Sequence, residues 1–198
     1  MVDEKNMSKL YFRYGAMNSG KTTALLQVAH NYEEQNQEVL ILKPAIDSKG
    51  SNHVCSRLGI SREVDALITP DIDLFDFARM LIKDIDCILV DEAQFLTREQ
   101  VRELFKLVSI HDIPVICYGL RTDFKQQGFP AAEELLLIAH DIEEMKTICT
   151  CGRKATLNIR VKDGEVIKEG PTILIDSVDT TDDVVYKAIC SSCYYKNK

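Results

Sequence analysis

The sequence predicts an α/β fold, a parallel sheet flanked by helices, with a small second unit at its C-terminal end. Three observations point to it. Short apolar runs alternate with amphipathic stretches through the first two thirds of the 198 residues. A glycine-rich loop falls between the first apolar run and the first helical stretch. Of the seven cysteines, Cys149, Cys151, Cys190 and Cys193 gather in the last fifty or so residues.

The runs LYFRY (10–14), EVLILK (38–43), CILV (87–90) and PVICYG (114–119) are short, apolar and rich in branched or aromatic residues. That pattern suits strands buried on both faces of a parallel sheet. Good helix formers occupy Thr22 to about Gln35. In the next amphipathic stretch, 74–82, Leu74, Phe77, Ala78 and Leu81 share one helical face. Thr97 with Gln100 forms a capping-box pattern, followed by a stripe of Val101, Leu104, Phe105 and Val108. Pro130 opens a further helix, because proline suits a first turn. After Lys146 the pattern changes. Asp163-Gly164 reads as a hairpin turn, and the polar run 176–183 has no strand or helix period. The expected division is therefore 1–146 and 147–198.

Composition excludes several classes. At 45% hydrophobic and 28% charged the chain falls in the globular range. No apolar run reaches the roughly 18 residues of a membrane helix. The start, MVDEKNMSKLYF, does not read as a secretory leader. A net charge of −7 argues against bulk nucleic-acid binding. An odd cysteine count without a leader suits a reducing compartment, so a cytoplasmic location is expected.

Gly15-Ala16-Met17-Asn18-Ser19-Gly20-Lys21-Thr22 satisfies GxxxxGK[ST] between a strand and a helix. Backbone N–H groups of such a loop converge on phosphate oxygens, helped by the helix N-terminus. Lys21 would reach the β- and γ-phosphates and Thr22 would offer its hydroxyl to Mg²⁺. Ile85 to Val90 then runs into Asp91-Glu92. Alone, two acids at a strand end would be a surface cap; downstream of a P-loop, the first suits a metal-associated acid. On extended backbone the pair would point to opposite sides, leaving Glu92 to face an acceptor as general base.

GAMNSGKT, LVDEAQF (89–95), CYGLRTDF (117–124) and TICTCGRKAT (147–156) together resemble the type II thymidine kinases, in their bacterial branch, from Leu10 to Tyr194. The resemblance implies a RecA-like P-loop domain, a small zinc-ribbon-like domain carrying a lasso loop, and a homotetramer. It implies transfer of the γ-phosphoryl of ATP to the 5′-hydroxyl of thymidine or deoxyuridine in pyrimidine nucleotide salvage. Feedback binding of thymidine triphosphate comes with it. Gly15 to Thr22, with Asp91, Glu92, Ala93 and Gln94, match the ATP and metal side. Met17, Phe95, Leu120, Phe124, Phe129 and Tyr186 match residues around the nucleoside, as does the backbone of Ile173, Leu174, Ile175 and Asp176. A transition-state cation beyond Lys21 is expected. The family places an arginine where Lys49 stands here, and Arg57 is a second candidate.

Cys149-x-Cys151 and Cys190-x-x-Cys193 supply four thiolates with strands between them, which suits structural, tetrahedral Zn²⁺ without an open position. Two departures lie on the nucleoside side. Ile175 to Tyr186 is longer than in many relatives and lacks glycine, and Asn158 stands where many have threonine. They bear on base selectivity and feedback, not on the reaction. His30, His53, His111 and His140 lack metal spacing, and Cys55, Cys87 and Cys117 read as small buried residues.

The competing reading is a RecA-like P-loop ATPase acting on nucleic acid through a zinc ribbon. Residues 147–198 carry 8 Lys+Arg against 7 Asp+Glu, which is no footprint for DNA. An idle zinc-stabilised scaffold is at odds with intact Lys21, Thr22, Asp91 and Glu92.

Overall fold

Apolar strands with little charge can only be satisfied in the middle of a sheet, and that is where they lie. The computed structural model describes residues 7–45, 52–170 and 184–196. In chain order, β1 (Leu10–Tyr14) leads to α1 (Lys21–Glu33), β2 (Val39–Pro44), the short strands β3 (His53–Cys55) and β4 (Ser61–Glu63), and β5 (Ala66–Ile68). Then come α2 (Leu74–Leu81), β6 (Cys87–Val90), α3 (Arg98–His111), β7 (Val115–Gly119), α4 (Pro130–Ile138) and β8 (Asp141–Glu144). The smaller elements follow: β9 (Thr147–Ile148), β10 (Lys154–Ala155), β11 (Leu157–Lys162), β12 (Glu165–Ile167), β13 (Val184–Ile189) and α5 (Ser191–Lys196).

Six strands form one parallel sheet in the order β5-β2-β6-β7-β1-β8. Alternation along each strand sends side chains to two cores. Leu10, Phe12, Leu40, Leu42, Ile88, Val90, Val115 and Cys117 pack on the side of α2, α3 and α4. Val39, Ile41, Cys87, Leu89, Ile116 and Tyr118 pack on the side of α1. Burial on both faces explains why these strands read as continuous apolar runs. The strand order also places β7 between β1 and β6, so Gly119 and Leu120 emerge between the P-loop and the acidic pair. Ligands of such sheets collect at these carboxyl ends.

The helix signals hold at their starts. Thr97 Oγ1 accepts the Gln100 N–H at 3.1 Å, and Gln100 Oε1 accepts the Thr97 N–H at 3.0 Å. Pro130 occupies the first turn of α4. Asp163 and Gly164, both at positive φ, form the two-residue turn joining β11 to β12. One position of the α2 stripe differs: Leu81 is 38% exposed, because the α-helix ends there and tightens into a 3₁₀ turn over Ile82–Asp84.

Two strands of the large sheet lie outside the expected set. β5 is only three residues long, and β8 has the sequence DIEE. Both are edges: β8 carries charge that blunts unwanted pairing, whereas β5, Ala66–Ile68, is apolar but too short to read as a strand. The β3–β4 hairpin also went unpredicted. It places His53 in a strand and leaves Cys55 exposed, correcting its reading as a buried residue. No described helix is long and apolar enough to cross a membrane.

Candidate active site

The P-loop is built by backbone strain and close approach. Asn18 and Gly20 adopt left-handed φ of +66° and +81°. Gly20 caps α1, which starts at Lys21. A Cβ on Gly15 would lie 2.3 Å from the Met145 carbonyl oxygen and 2.5 Å from Ser19 Oγ, so no side chain fits there. Lys21 folds over this loop, its Nζ donating to the carbonyls of Gly15 at 3.0 Å and Ala16 at 3.1 Å. Burial holds its ammonium below the ordinary lysine range, opposed by the charges of Glu92 and Asp91. The positive charge of Arg57, on the turn between β3 and β4, adds to the lowering.

Asp91 and Glu92 follow β6. Thr22 Oγ1 donates to Asp91 Oδ2 at 3.3 Å, joining the P-loop to the acidic pair. Burial, with the neighbouring Glu92 charge, pushes the Asp91 carboxyl up to about 6. Glu92 is not on extended backbone as the sequence suggests. It sits at φ +51°, ψ +37°, at the entrance to a 3₁₀ turn over Ala93–Phe95. A left-handed glutamate costs about 1–3 kcal/mol, a strain that concentrates at functional sites. The turn buries Ala93 in the core and Gln94 beside Glu92. Gln94 Nε2 donates to Glu92 Oε2 at 2.6 Å, and its Oε1 accepts the Leu120 N–H at 2.9 Å.

The apolar residues expected around a nucleoside fall on adjoining loops. Phe95 and Phe129 meet edge to face at 5.4 Å, and Leu120 packs partly buried on the same core. Phe124 is buried under Arg160, whose guanidinium lies 4.0 Å from its ring centroid. Arg160 also donates to the Tyr186 hydroxyl from Nε at 3.0 Å and Nη2 at 2.7 Å. Arg160, 1% exposed, was missed by sequence reasoning. Its signal was a cation between the apolar residues Ile159 and Val161 in the strand LNIRVK. Asn158 and Thr147 tie the smaller elements to the P-loop: Asn158 Oδ1 accepts the Met17 N–H at 2.8 Å, and Thr147 Oγ1 donates to the Asn18 carbonyl at 3.2 Å. Tyr14, Gly15, Ala16, Arg121, Glu144 and Asn158 line a cleft between them. Lys49, Ile173, Leu174, Ile175, Asp176 and the polar run 176–183 lie outside the described residues.

Cys149, Cys151, Cys190 and Cys193 bring their four sulfurs within 4.8 Å of one another. Sulfurs held about 2.3 Å from a tetrahedral zinc stand about 3.8 Å apart, and Cys151 and Cys190 lie at 3.6 Å. Backbone N–H groups of Cys151 and Cys190 hold the Cys149 thiol well below its usual range, and the Cys193 N–H does so for Cys190. The donor set fits a structural metal such as zinc, with all four positions filled by protein.

The fold and this site define the class: a P-loop protein of the phosphoryl-transfer type, with a metal-binding appendage packed on its phosphate loop. The comparisons give the family. The family model for thymidine kinase matches residues 8–194. The chain is 47% identical over 191 residues to the thymidine kinase of Chromobacterium violaceum, covering 96% of this chain and 99% of that one. It is 50% identical over 176 residues to that of Idiomarina loihiensis, covering 87% and 91%. The thymidine kinase of Enterobacteria phage T4 is 46% identical over 188 residues, covering 93% and 94%. The chain belongs to the thymidine kinase family.

Proposed function

We propose that this chain transfers the γ-phosphoryl of ATP to the 5′-hydroxyl of thymidine or deoxyuridine, giving the 5′-monophosphate for pyrimidine salvage. The observation that supports it most is the Thr22–Asp91 hydrogen bond, with Glu92 next in sequence, at the carboxyl ends of β1 and β6. Thr22 and Asp91 would hold Mg²⁺, which neutralises phosphate charge when bound. The loop from Gly15 to Thr22 cradles the phosphates, and Lys21, freed from its own carbonyls, pairs with them. Glu92 accepts the 5′-hydroxyl proton as the new O–P bond forms and the bond from the γ-phosphorus to the bridging oxygen breaks, leaving ADP. A primary alcohol is too weak an acid to ionise beforehand, so the proton moves as bonding develops.

Met17, Phe95, Leu120, Phe124, Phe129 and Tyr186 surround the nucleoside in this reading, and backbone groups of Ile173 to Asp176 would hydrogen-bond the base edge. Lys49 or Arg57 supplies the additional cation; Arg57 lies near enough to Lys21 to lower the pKa of its ammonium. Residues 1–146 form the kinase domain and 147–198 the zinc-binding one. The zinc is structural, nucleic acid is not a partner, and seven free cysteines suit the cytoplasm. A homotetramer and feedback by thymidine triphosphate rest on the family alone.

Product formation from ATP–Mg²⁺ with thymidine, deoxyuridine, deoxycytidine or no nucleoside tests the reading. Thymidine monophosphate stoichiometric with ADP is expected. ADP release indifferent to every nucleoside would overturn it and favour a nucleic-acid ATPase.

A further inference from the structure

Gln94 is 1% exposed, and both ends of its amide are used. The Leu120 N–H can be met only by the amide oxygen, and the Glu92 carboxylate only by the amide nitrogen. A flipped amide would oppose donor to donor and acceptor to acceptor, so one orientation is enforced from both sides. Gly119 makes room for it: a Cβ there would lie 2.6 Å from Gln94 Oε1 and 3.1 Å from the Gln94 backbone nitrogen. The amide oxygen therefore lies against the end of β7, the strand between the P-loop strand and the acidic strand.

Glu92 receives this hydrogen bond on Oε2 alone. Its Oε1 takes no hydrogen bond from any described residue. Its backbone is already held in the left-handed region by the 3₁₀ turn that carries Gln94 two residues later. Backbone and side chain are thus constrained by the same turn, and the carboxylate is aimed rather than free to rotate.

We propose that Gln94 is a positioning residue: it pins Oε2 of Glu92, presents Oε1 to the acceptor hydroxyl, and ties that aim to Leu120 at the edge of the nucleoside pocket. This rests on the reading of Glu92 as the proton acceptor. A lone carboxylate that must be oriented at each encounter loses the advantage of a fixed near-attack geometry, in which misplacement by about 1 Å can cost about 100-fold. Because Leu120 and Glu92 share one amide, a nucleoside pressing on Leu120 also bears on the alignment of Glu92.

The test compares wild type with Gln94→Met, which keeps length and removes both hydrogen bonds, and Gln94→Glu, which can donate to Glu92 only while its new carboxyl is protonated. Steady-state rates across the pH range in which the enzyme stays folded, and calorimetric ATP affinity, are measured on each protein. Gln94→Met is expected to lower kcat by about 10–100-fold while the KM for ATP and the ATP affinity stay within about twofold. Gln94→Glu is expected to shift the pH optimum of kcat to the acid side, which a merely structural role would not do. Gly119→Ala, which displaces the amide from the other side, should reproduce the kcat loss if Gln94→Met fails to fold. Unchanged kcat and pH profile in folded Gln94 variants would overturn the proposal. If Glu92→Gln itself retained full turnover, the underlying reading of Glu92 would fall instead, and the two failures are distinguishable.

Discussion

Oδ1 of Asn158 accepts the backbone N–H of Met17 at 2.8 Å, so a side chain of β11 holds the phosphate loop by its main chain. The contact is nearly buried, and Thr147 grips the next residue through the Asn18 carbonyl at 3.2 Å. The elements that carry the four clustered cysteines are therefore part of the scaffold that shapes the P-loop. Asn158→Leu would leave the Met17 N–H without its partner, a loss of about 1–3 kcal/mol. ATP affinity measured by calorimetry should fall by about 5–100-fold. Asn158→Asp, which keeps the acceptor, should retain most of it.

Glu92→Gln keeps the shape of the 3₁₀ turn but removes the proton acceptor. Turnover should drop by about 100- to 10,000-fold with ATP binding preserved. Rapid-quench measurement of monophosphate formation, beside ATP titration, separates the two.

Arg160 stacks on Phe124 and forks onto the Tyr186 hydroxyl. Arg160→Lys keeps the charge but loses the planar fork, and Lys and Arg are not interchangeable at such a site. The KM for thymidine should rise by about tenfold or more, with the KM for ATP nearly unchanged. Equal rises in both would assign Arg160 to general stability.

Asp91 carries a pH signature in the nucleotide-free protein. Its folded pKa, raised to about 6 by burial and by Glu92, exceeds the usual carboxylate value of 3.8. The folded state therefore binds the proton more tightly. This contribution is full below about pH 4 and is lost as pH rises through about 6. At neutral pH the ionised, buried acid is a liability that bound cation would relieve. Asp91→Asn should thus raise the melting midpoint at pH 7, each kcal/mol recovered giving about 2–4 °C, while abolishing turnover. Scanning calorimetry of both proteins between pH 4 and pH 8 measures the difference.

Cys190 meets Cys151 at 3.6 Å and accepts the Cys193 N–H. Cys190→Ser should lower zinc content and thermal stability together, because ligand loss in a closed four-cysteine site removes folding energy. Elemental analysis and a thermal melt of the same preparation check both. Since Ala155, Ile159 and Ile189 share the core of the cysteine cluster, loss of the metal should also weaken the Asn158 contact and ATP affinity with it.

The P-loop and the acidic pair after β6 were legible because a phosphate-binding loop demands particular side chains at short spacing. A loop that must wrap phosphate needs glycine where Gly15 admits no Cβ and Gly20 turns left-handed, and that need is local. The same holds for the Thr97–Gln100 capping box and the Asp163-Gly164 turn, whose hydrogen bonds and dihedrals span only a few residues. Central strands announced themselves because burial on both faces leaves no room for charge.

Local motifs, the central strands and four cysteines poised for a metal could thus be read along the chain. Tertiary structure alone decided the rest. Edge strands such as β8 exist only because β1 offers backbone partners to DIEE. The left-handed backbone of Glu92 and the enforced amide of Gln94 depend on β7 lying between β1 and β6. Arg160 gains its meaning from Phe124, 36 positions earlier, and Tyr186, 26 later. Such relationships are set by packing between distant segments, where the partner of a side chain is chosen by topology and not by its neighbours in the chain.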